Sequence, residues 1–227
     1  MNVVVWNIYK SEKPNWSKDF ITFGHENDVL LIQEAFLNKT FLTSTQELSE
    51  HYYTHATSFI FKGENIPTGT LTASKYNIAS SRILRSTDGE PIINTPKTIS
   101  VDYHSLKDTD LQLLTLNIHG LNATRTADFS AQVNSTLKII KEHQGPILFA
   151  GDFNTRNKSR TKFMNKFFKD LKFKEVKWPN DKRKKVVVTK EAMQLVAYLL
   201  SLKQTPLPKG TAPVEFIYKQ EVAKSGA

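Results

Sequence analysis

The sequence predicts an α/β sandwich in which two β-sheets carry helices on their outer faces. Four apolar runs, each short, nearly continuous and bounded by turn residues, predict strands that are buried on both faces. These runs are Val3–Trp6, Val29–Ile32, Leu111–Leu116 and Ile147–Ala150. Segments with apolar residues at helical spacing follow the later strands. The length of 227 residues is enough to bury a sizeable core in one large domain or two small ones.

The remaining elements are weaker strands and three helices. Less regular apolar segments predict further strands at Ser58–Phe61, Gly69–Ser74, Ile78–Leu84 and Thr98–Tyr103. Apolar residues at spacings of three and four predict helices over Thr124–His143, Arg160–Leu171 and Thr189–Leu202.

Composition excludes several classes of protein. The chain has no cysteine, which excludes disulfides, thiolate catalysis and zinc–cysteine sites. It has no run of about 18 apolar residues, so we expect no membrane span. Its start, Met1–Asn7, lacks a basic region and a longer apolar segment, so we expect no signal peptide and a cytoplasmic location, unless an upstream segment is missing.

The formal net charge of +9 is concentrated in one stretch of the chain. Arg156–Lys190 contains fourteen Lys and Arg residues against three Asp and Glu. Such a stretch favours a phosphate-rich partner, and nucleic acid is one candidate. Arg156 and Lys158 are the predicted substrate-binding residues, together with Asn117. The alternative is a solvated helix face, because lysines lie opposite the Phe163–Phe167 stripe.

Polar residues follow each of the four strongest predicted strands. The first ends in Asn7, the second in Gln33-Glu34, the third in Asn117-Ile-His119, and the fourth in Gly151-Asp-Phe-Asn154. If these strand ends converge, they form a cluster of one histidine, two carboxylates and several amides at the rim of a sheet.

This set of side chains suits the hydrolysis of a phosphate ester with a hard divalent cation. Glu34 and Asn7 are candidate ligands of Mg²⁺ or Mn²⁺, which prefer carboxylate and amide oxygens. Asp152 can orient or deprotonate water, Asn154 can hold a phosphate oxygen, and protonated His119 can stabilise developing charge. Each residue alone also has a structural interpretation, as a turn former, a strand end or a buried histidine.

The ordered motifs resemble the endonuclease/exonuclease/phosphatase superfamily, whose fold is the deoxyribonuclease I-like four-layer α/β sandwich. They are Trp6-Asn7, Gln33-Glu34, Thr68–Tyr76, Asn117–Gly120 and Gly151–Asn154, and the similarity spans about residues 1–185. The resemblance implies a magnesium-dependent phosphodiesterase or nuclease. It also implies the same roles for Asn7, Glu34, His119, Asp152 and Asn154.

The C-terminal part departs from this family. Its members normally close with a strand that bears an Asp-His pair, whereas no histidine follows His143 here. We therefore expect a domain at 1–185 that lacks its C-terminal strands, followed by a divergent helical tail at 186–227. Glu191–Leu202 within this tail is similar to the terminal helix of class I c-type cytochromes, without a haem motif.

Two functional hypotheses follow. The first is a metal-dependent phosphoesterase or endonuclease-like hydrolase that acts through activated water and is impaired by the missing histidine. The second is a catalytically inactive phosphate- or nucleic-acid-binding protein. The sequence leaves open the substrate, which could be DNA, RNA, a lipid or a small phosphate ester, and the oligomeric state.

Overall fold

The computed structural model describes residues 1–61, 63–91, 94–107 and 109–176, together with the backbone of residues 215–218. The strands in these residues form two sheets. Sheet A has the order β1-β2-β4-β3-β9 and contains β1 (Val3–Asn7), β2 (Val29–Phe36), β3 (Tyr52–Phe61), β4 (Ile66–Ser74) and β9 (Glu215–Tyr218). Sheet B has the order β5-β6-β7-β8 and contains β5 (Ile78–Arg85), β6 (Thr98–Ser105), β7 (Gln112–His119) and β8 (Ile147–Asp152).

Five α-helices accompany the sheets in the part of the chain that is described. They are α1 (Trp16–Glu26), α2 (Lys39–Gln46), α3 (Thr126–Asn134), α4 (Leu137–Glu142) and α5 (Lys158–Asp170). None of the helices in that part is long and apolar enough to cross a membrane. The predicted α/β fold with two sheets is confirmed, and each predicted strand is present, most of them longer than predicted.

The helix predicted over Thr124–His143 is divided into α3 and α4. Two hydroxyl groups explain the break between them. Ser135 Oγ donates to the carbonyl of Gln132 at 2.6 Å, and Thr136 Oγ1 donates to the carbonyl of Val133 at 2.7 Å. Side chains that bond to nearby carbonyls in this way compete with the continuing helical hydrogen bonds.

Two helices, α1 and α2, were not predicted. Their aromatic side chains pack together: the Trp16 and Phe41 rings are stacked with centroids 5.4 Å apart, and Phe20 lies 5.3 Å from Phe41. Asn38 caps α2, because its Oδ1 accepts from the Phe41 amide at 2.9 Å. The spacing of Trp16 and Phe20 was a usable helical signal.

The C-terminal segment contributes one described element, β9, which pairs antiparallel with β3. No strand was predicted in this segment, so these four residues differ from the expected helical tail. The predicted helix Thr189–Leu202 and the proposed boundary at residue 185 lie outside the described residues, and both stay predictions.

A buried carboxylate joins the two sheets. Asp102 of β6 is fully buried and accepts hydrogen bonds from Ser81 at 2.6 Å and from Ser100 at 2.7 Å, both in sheet B. It also accepts from Thr54 of sheet A at 2.9 Å. Three hydroxyl donors stabilise the buried charge, so part of the contact between the sheets is polar.

Phenylalanine rings anchor the strand that carries Asp152. Phe149 of β8 contacts Phe167 and Phe168 of α5, with ring centroids 6.2 and 5.8 Å apart. Phe153, directly after β8, contacts Phe168 at 5.8 Å. These edge-on ring pairs add to the energy of apolar burial and hold the end of β8 against α5.

We expect His55 to contribute a loss of stability when the pH falls from about 6.5 to about 4, against the opposite contribution of Asp152, whose raised pKa favours the folded state at low pH. Burial lowers the pKa of His55 from 6.5 to about 4, so the folded protein holds it neutral while the unfolded chain binds a proton. Stability is therefore complete above the unfolded pKa and is lost as the pH falls towards the folded one. The loss from His55 is on the order of 3 kcal/mol and is measured by urea unfolding at a series of pH values.

His55→Gln is the control for this prediction. The variant keeps a polar side chain but cannot titrate, so its free energy of unfolding falls less between pH 6.5 and 4 than that of the wild type. An equal fall in both proteins contradicts the assignment to His55. Burial also lowers the pKa of His51 and His104, so the variant retains part of the pH dependence.

Candidate active site

The polar residues predicted at the strand ends come together at one edge of the sandwich. β1 and β2 are parallel, with Asn7 aligned beside Gln33, and β7 and β8 are parallel, with His119 beside Asp152. In this arrangement, Asn7 from sheet A donates a hydrogen bond from Nδ2 to Asp152 Oδ2 of sheet B at 3.1 Å. The site is therefore assembled from both sheets.

Glu34 lies next to these residues. Asn7 Nδ2 donates to Glu34 Oε1 at 3.3 Å, and His119 Nε2 lies 3.9 Å from the same oxygen. The four side chains of Asn7, Glu34, His119 and Asp152 form one connected group, and each residue is at most 6% exposed. The sequence-based expectation of a compact polar cluster thus agrees with their positions.

A break in the β2 ladder positions Glu34. The register between β2 and β4 shifts between Ile32 and Ala35, and Glu34 has a left-handed backbone with φ of 55°. Bulges of this kind redirect a side chain from its regular alternation. Gln33 instead points between the sheets and donates to Asn117 Oδ1 at 2.7 Å.

The end of β8 shapes the surroundings of Asp152. Gly151 has φ of +139°, and a Cβ atom there would lie 2.0 Å from the carbonyl oxygen of Ile118, so this position requires glycine. Burial raises the pKa of Asp152 to about 6, against the opposing effect of hydrogen bonds from the Asn154 amide and the Asn7 side chain. At neutral pH, Asp152 is mostly ionised and can accept a proton.

Asn154 follows the end of β8 and has a buried side-chain amide. Its Nδ2 donates to the carbonyl of Gly120 at 2.8 Å, which fixes the amide. Its Oδ1 is buried and accepts no hydrogen bond within the described residues. A buried amide oxygen without a donor is costly, so it is available to a bound group.

His119 is neutral at pH 7. Burial and the positive charges of Lys97 and Lys10 lower its pKa well below 6.5. The protonated form expected from the sequence is therefore disfavoured, and the uncharged imidazole still has one N–H donor.

Sequence reasoning missed three charged groups around the cluster. Lys10 Nζ lies 3.6 Å from Glu34 Oε2, and Lys97 Nζ lies 3.4 Å from Glu90 Oε2; all four side chains are less than a tenth exposed. Glu90 Oε1 also accepts from the Asn122 amide at 2.9 Å. Lys10, Glu90 and Lys97 are in loops or turns, where no periodic pattern marks a buried side chain.

Arg160 holds the loops beside the site together. Although it belongs to the basic stretch, its guanidinium is buried and donates to the carbonyls of Leu121, Asn154 and Thr124. The Arg160 guanidinium thus lies inside the protein. The sequence instead predicts that the cations of this region lie on a solvated helix face or contact a substrate.

The three predicted substrate-binding residues lie apart from the cluster or beneath it. Asn117 is fully buried and donates to the carbonyls of Ile32 at 3.3 Å and Leu71 at 3.0 Å, so it bridges the sheets. Arg156 and Lys158 are exposed at the start of the α5 region, two and four residues after Asn154.

The donor set fits a hard divalent cation such as Mg²⁺ or Mn²⁺ better than a softer metal such as zinc or copper. The described residues contain no group of three or more His, Asp or Glu side chains arranged to hold a metal ion. Magnesium commonly uses only one or two carboxylates and completes its shell with water and substrate phosphate. Glu34 and the unpartnered Asn154 oxygen are consistent with that chemistry, whereas Asn7 turns its Nδ2 donor to the carboxylates and its Oδ1 to the Tyr9 amide.

Sequence comparison identifies the family of this two-sheet α/β sandwich. The Endonuclease/Exonuclease/phosphatase family profile matches residues 4–182. The chain belongs to this family, a family of phosphoester hydrolases. Among curated relatives, a UPF0294 protein of Vibrio campbellii is 31% identical over 93% of this chain and 73% of its own length. A UPF0294 protein of Photorhabdus laumondii is 30% identical, over 81% of this chain and 68% of its own.

Solved structures share the fold. A family protein from Leptotrichia buccalis superposes with a TM-score of 0.57 and 15% identity, covering 74% of each chain. Staphylococcus aureus beta toxin with bound magnesium ions has a TM-score of 0.56 and 15% identity, covering 77% of this chain and 71% of its own. The human Nocturnin catalytic domain has a TM-score of 0.55 and 17% identity, covering 75% and 70%. These similarities establish the α/β sandwich.

Proposed function

We propose that the protein is a divalent-metal-dependent phosphodiesterase or nuclease that uses water as the nucleophile. The observation that carries this proposal is the contact of Asn7, from sheet A, with both Glu34 and Asp152. Two buried carboxylates, an imidazole and two amides at one edge are suited to phosphate chemistry. The family membership supports the same reaction class.

Glu34, assisted by Asn7, would hold Mg²⁺ or Mn²⁺. The bound cation would supply positive charge that polarises the phosphate ester and offsets charge developing on its oxygens. Asn7 would assist by orienting Glu34, because its Oδ1 accepts from the Tyr9 amide at 3.0 Å and its Nδ2 donates to the carboxylate. The magnesium ions in the beta toxin structure, which has the same fold, support the choice of metal.

Asp152 would orient the attacking water and accept its proton. The hydrogen bonds from the Asn154 amide at 3.0 Å and from Asn7 hold the carboxylate in one orientation. A base with a pKa somewhat below the working pH combines the ionised form with useful basicity.

Neutral His119 would contact the phosphate group, and so would Asn154 through the Nδ2 proton that is not bonded to the Gly120 carbonyl. The imidazole N–H can donate to a non-bridging oxygen without carrying a charge, and its burial strengthens that interaction. The carbonyl of His119 accepts from Gln132 Nε2 at 3.0 Å, which holds the end of β7. Arg156 and Lys158 would contact more distant phosphates of a longer substrate such as a nucleic acid.

A second candidate is a protein that binds phosphate esters without hydrolysing them. Residues 144–227 contain no histidine, so this part of the chain brings no second imidazole to His119, which favours this candidate. The two functions share a ligand and differ only in turnover.

Hydrolysis assays distinguish the two candidates. We expect Mg²⁺- or Mn²⁺-dependent cleavage of bis(p-nitrophenyl) phosphate, plasmid DNA, RNA or sphingomyelin vesicles, which is lost on addition of EDTA. The last substrate is included because a Streptomyces griseocarneus sphingomyelinase C shares the fold, with a TM-score of 0.52. No turnover of any substrate, together with metal-dependent binding of one of them, supports the binding protein instead.

A further inference from the structure

A lysine lies against the carboxylate that we assign to the metal. Lys10 Nζ is 3.6 Å from Glu34 Oε2, and the two side chains are only 9% and 4% exposed. Asn7 and His119 approach the other carboxylate oxygen, Oε1, at 3.3 and 3.9 Å. Lys10 therefore brings a full positive charge to Oε2, an atom that a divalent cation would also use.

An unusual turn presents this lysine. Tyr9, Lys10 and Ser11 have φ angles of 51°, 51° and 66°, three consecutive non-glycine residues in the left-handed region. This conformation is unfavourable for residues with a Cβ atom, so surrounding contacts must hold it. One of them ties the turn to the site, because the Tyr9 amide donates to Asn7 Oδ1 at 3.0 Å.

From this geometry, we propose that Lys10 is an internal cation that neutralises Glu34 in the metal-free protein and moves away when a divalent cation binds. The inference rests on the proposed role of Glu34 as a metal ligand. A buried carboxylate without an opposite charge is strongly unfavourable, so Lys10 stabilises the metal-free site. An ammonium and a divalent cation repel each other when they share one carboxylate, so Lys10 lowers the affinity for metal.

The first test is a calorimetric titration with Mn²⁺. Lys10→Met keeps the length of the side chain and removes its charge, and we expect it to bind Mn²⁺ about tenfold more tightly than the wild type. Lys13→Met is the matched control, because Lys13 contacts the same Tyr9 ring at 5.3 Å but is exposed. The control should bind Mn²⁺ as the wild type does. Equal or weaker Mn²⁺ binding by Lys10→Met overturns the proposal.

A second measurement uses the unsubstituted chain, so it does not depend on the folding of a variant. Lysines are labelled briefly with an amine-reactive reagent, with and without Mn²⁺, and quantified by mass spectrometry. Lys10 should label slowly without metal, since its side chain is 9% exposed, and several-fold faster with metal. Lys13 should not change. A constant ratio of Lys10 to Lys13 labelling contradicts displacement.

Glu34→Gln separates this inference from the proposed function. If Glu34 holds the metal, this variant loses Mn²⁺ binding. If it instead binds Mn²⁺ like the wild type, the proposed metal site is wrong and the role of Lys10 fails with it. If Glu34→Gln loses binding while Lys10→Met is unchanged, the metal site stands and only the role of Lys10 is overturned.

Discussion

Asp152→Asn should lower the turnover number by about 10³-fold, the effect expected when a general base is removed. The substitution preserves shape and removes the negative charge that would accept the proton of water. Asp152 is 2% exposed and accepts from Asn7 at one oxygen and from the Asn154 amide at the other, so the variant removes the charge together with one of these hydrogen bonds. The measurement is steady-state hydrolysis of bis(p-nitrophenyl) phosphate with saturating Mg²⁺.

The pH profile strengthens this test. The pKa of Asp152 is raised to about 6 in the metal-free protein, and a neighbouring bound cation lowers it by favouring the carboxylate. Wild-type activity should therefore rise with pH up to about 6 at most and stay level above it. The residual activity of Asp152→Asn should lack this rise.

Asp170→Asn is the control. Asp170 is an exposed carboxylate on α5 that pairs with Lys166 at 2.7 Å. This variant should retain wild-type turnover. Unchanged turnover in Asp152→Asn would refute the assignment of the base, whereas an equal loss in both variants would point to a general effect of charge.

His119→Ala should lower the turnover number by about 10²-fold or more, the typical cost of losing one donor to a developing oxyanion. The imidazole is buried and neutral, so the loss comes from the missing N–H donor and not from a missing charge. His119→Gln retains an N–H donor and should keep more activity than the alanine variant. The measurement is kcat with each variant at saturating substrate.

Two measurements show whether a lower turnover number in His119→Ala comes from the missing imidazole or from loss of folding. His143→Gln replaces a partly buried histidine whose Nε2 bonds with the Gln112 carbonyl at 2.9 Å, away from the cluster, and should retain turnover. Thermal unfolding of every variant reports whether the fold survives. Equal kcat values for His119→Ala and the wild type would exclude a role for the imidazole in the reaction.

The strands and the polar residues at their ends could be predicted because a buried strand has a recognisable run of apolar residues. A strand that is buried on both faces has a nearly continuous apolar sequence. A polar residue at the end of such a sequence is therefore easy to recognise. Asn7 and Asp152 were located in this way, at the last residues of β1 and β8. The conformation of Glu34 could not be predicted, since the bulge that turns it depends on pairing with β4.

The sequence also did not show whether a residue of a strand lies between the sheets or at the edge of the sandwich. Asn117 and His119 alternate onto the same face of β7, so the sequence alone suggests similar roles. In the structure, Asn117 bonds to the carbonyls of Ile32 and Leu71 between the sheets, whereas His119 reaches Glu34 at the edge. The position of sheet A over sheet B therefore decides that Asn117, and not His119, connects the two sheets.

The sequence by itself determined the two-sheet class and the family, and it predicted the five polar residues proposed for the site, because local periodicity and ordered motifs are properties of the chain. It also placed the excess of positive charge in Arg156–Lys190. Only the tertiary structure decided that Lys10 faces Glu34, that Lys97 pairs with Glu90, and that His119 is neutral. Charge pairing and loss of water depend on distances between segments far apart in sequence, and no local pattern encodes those distances.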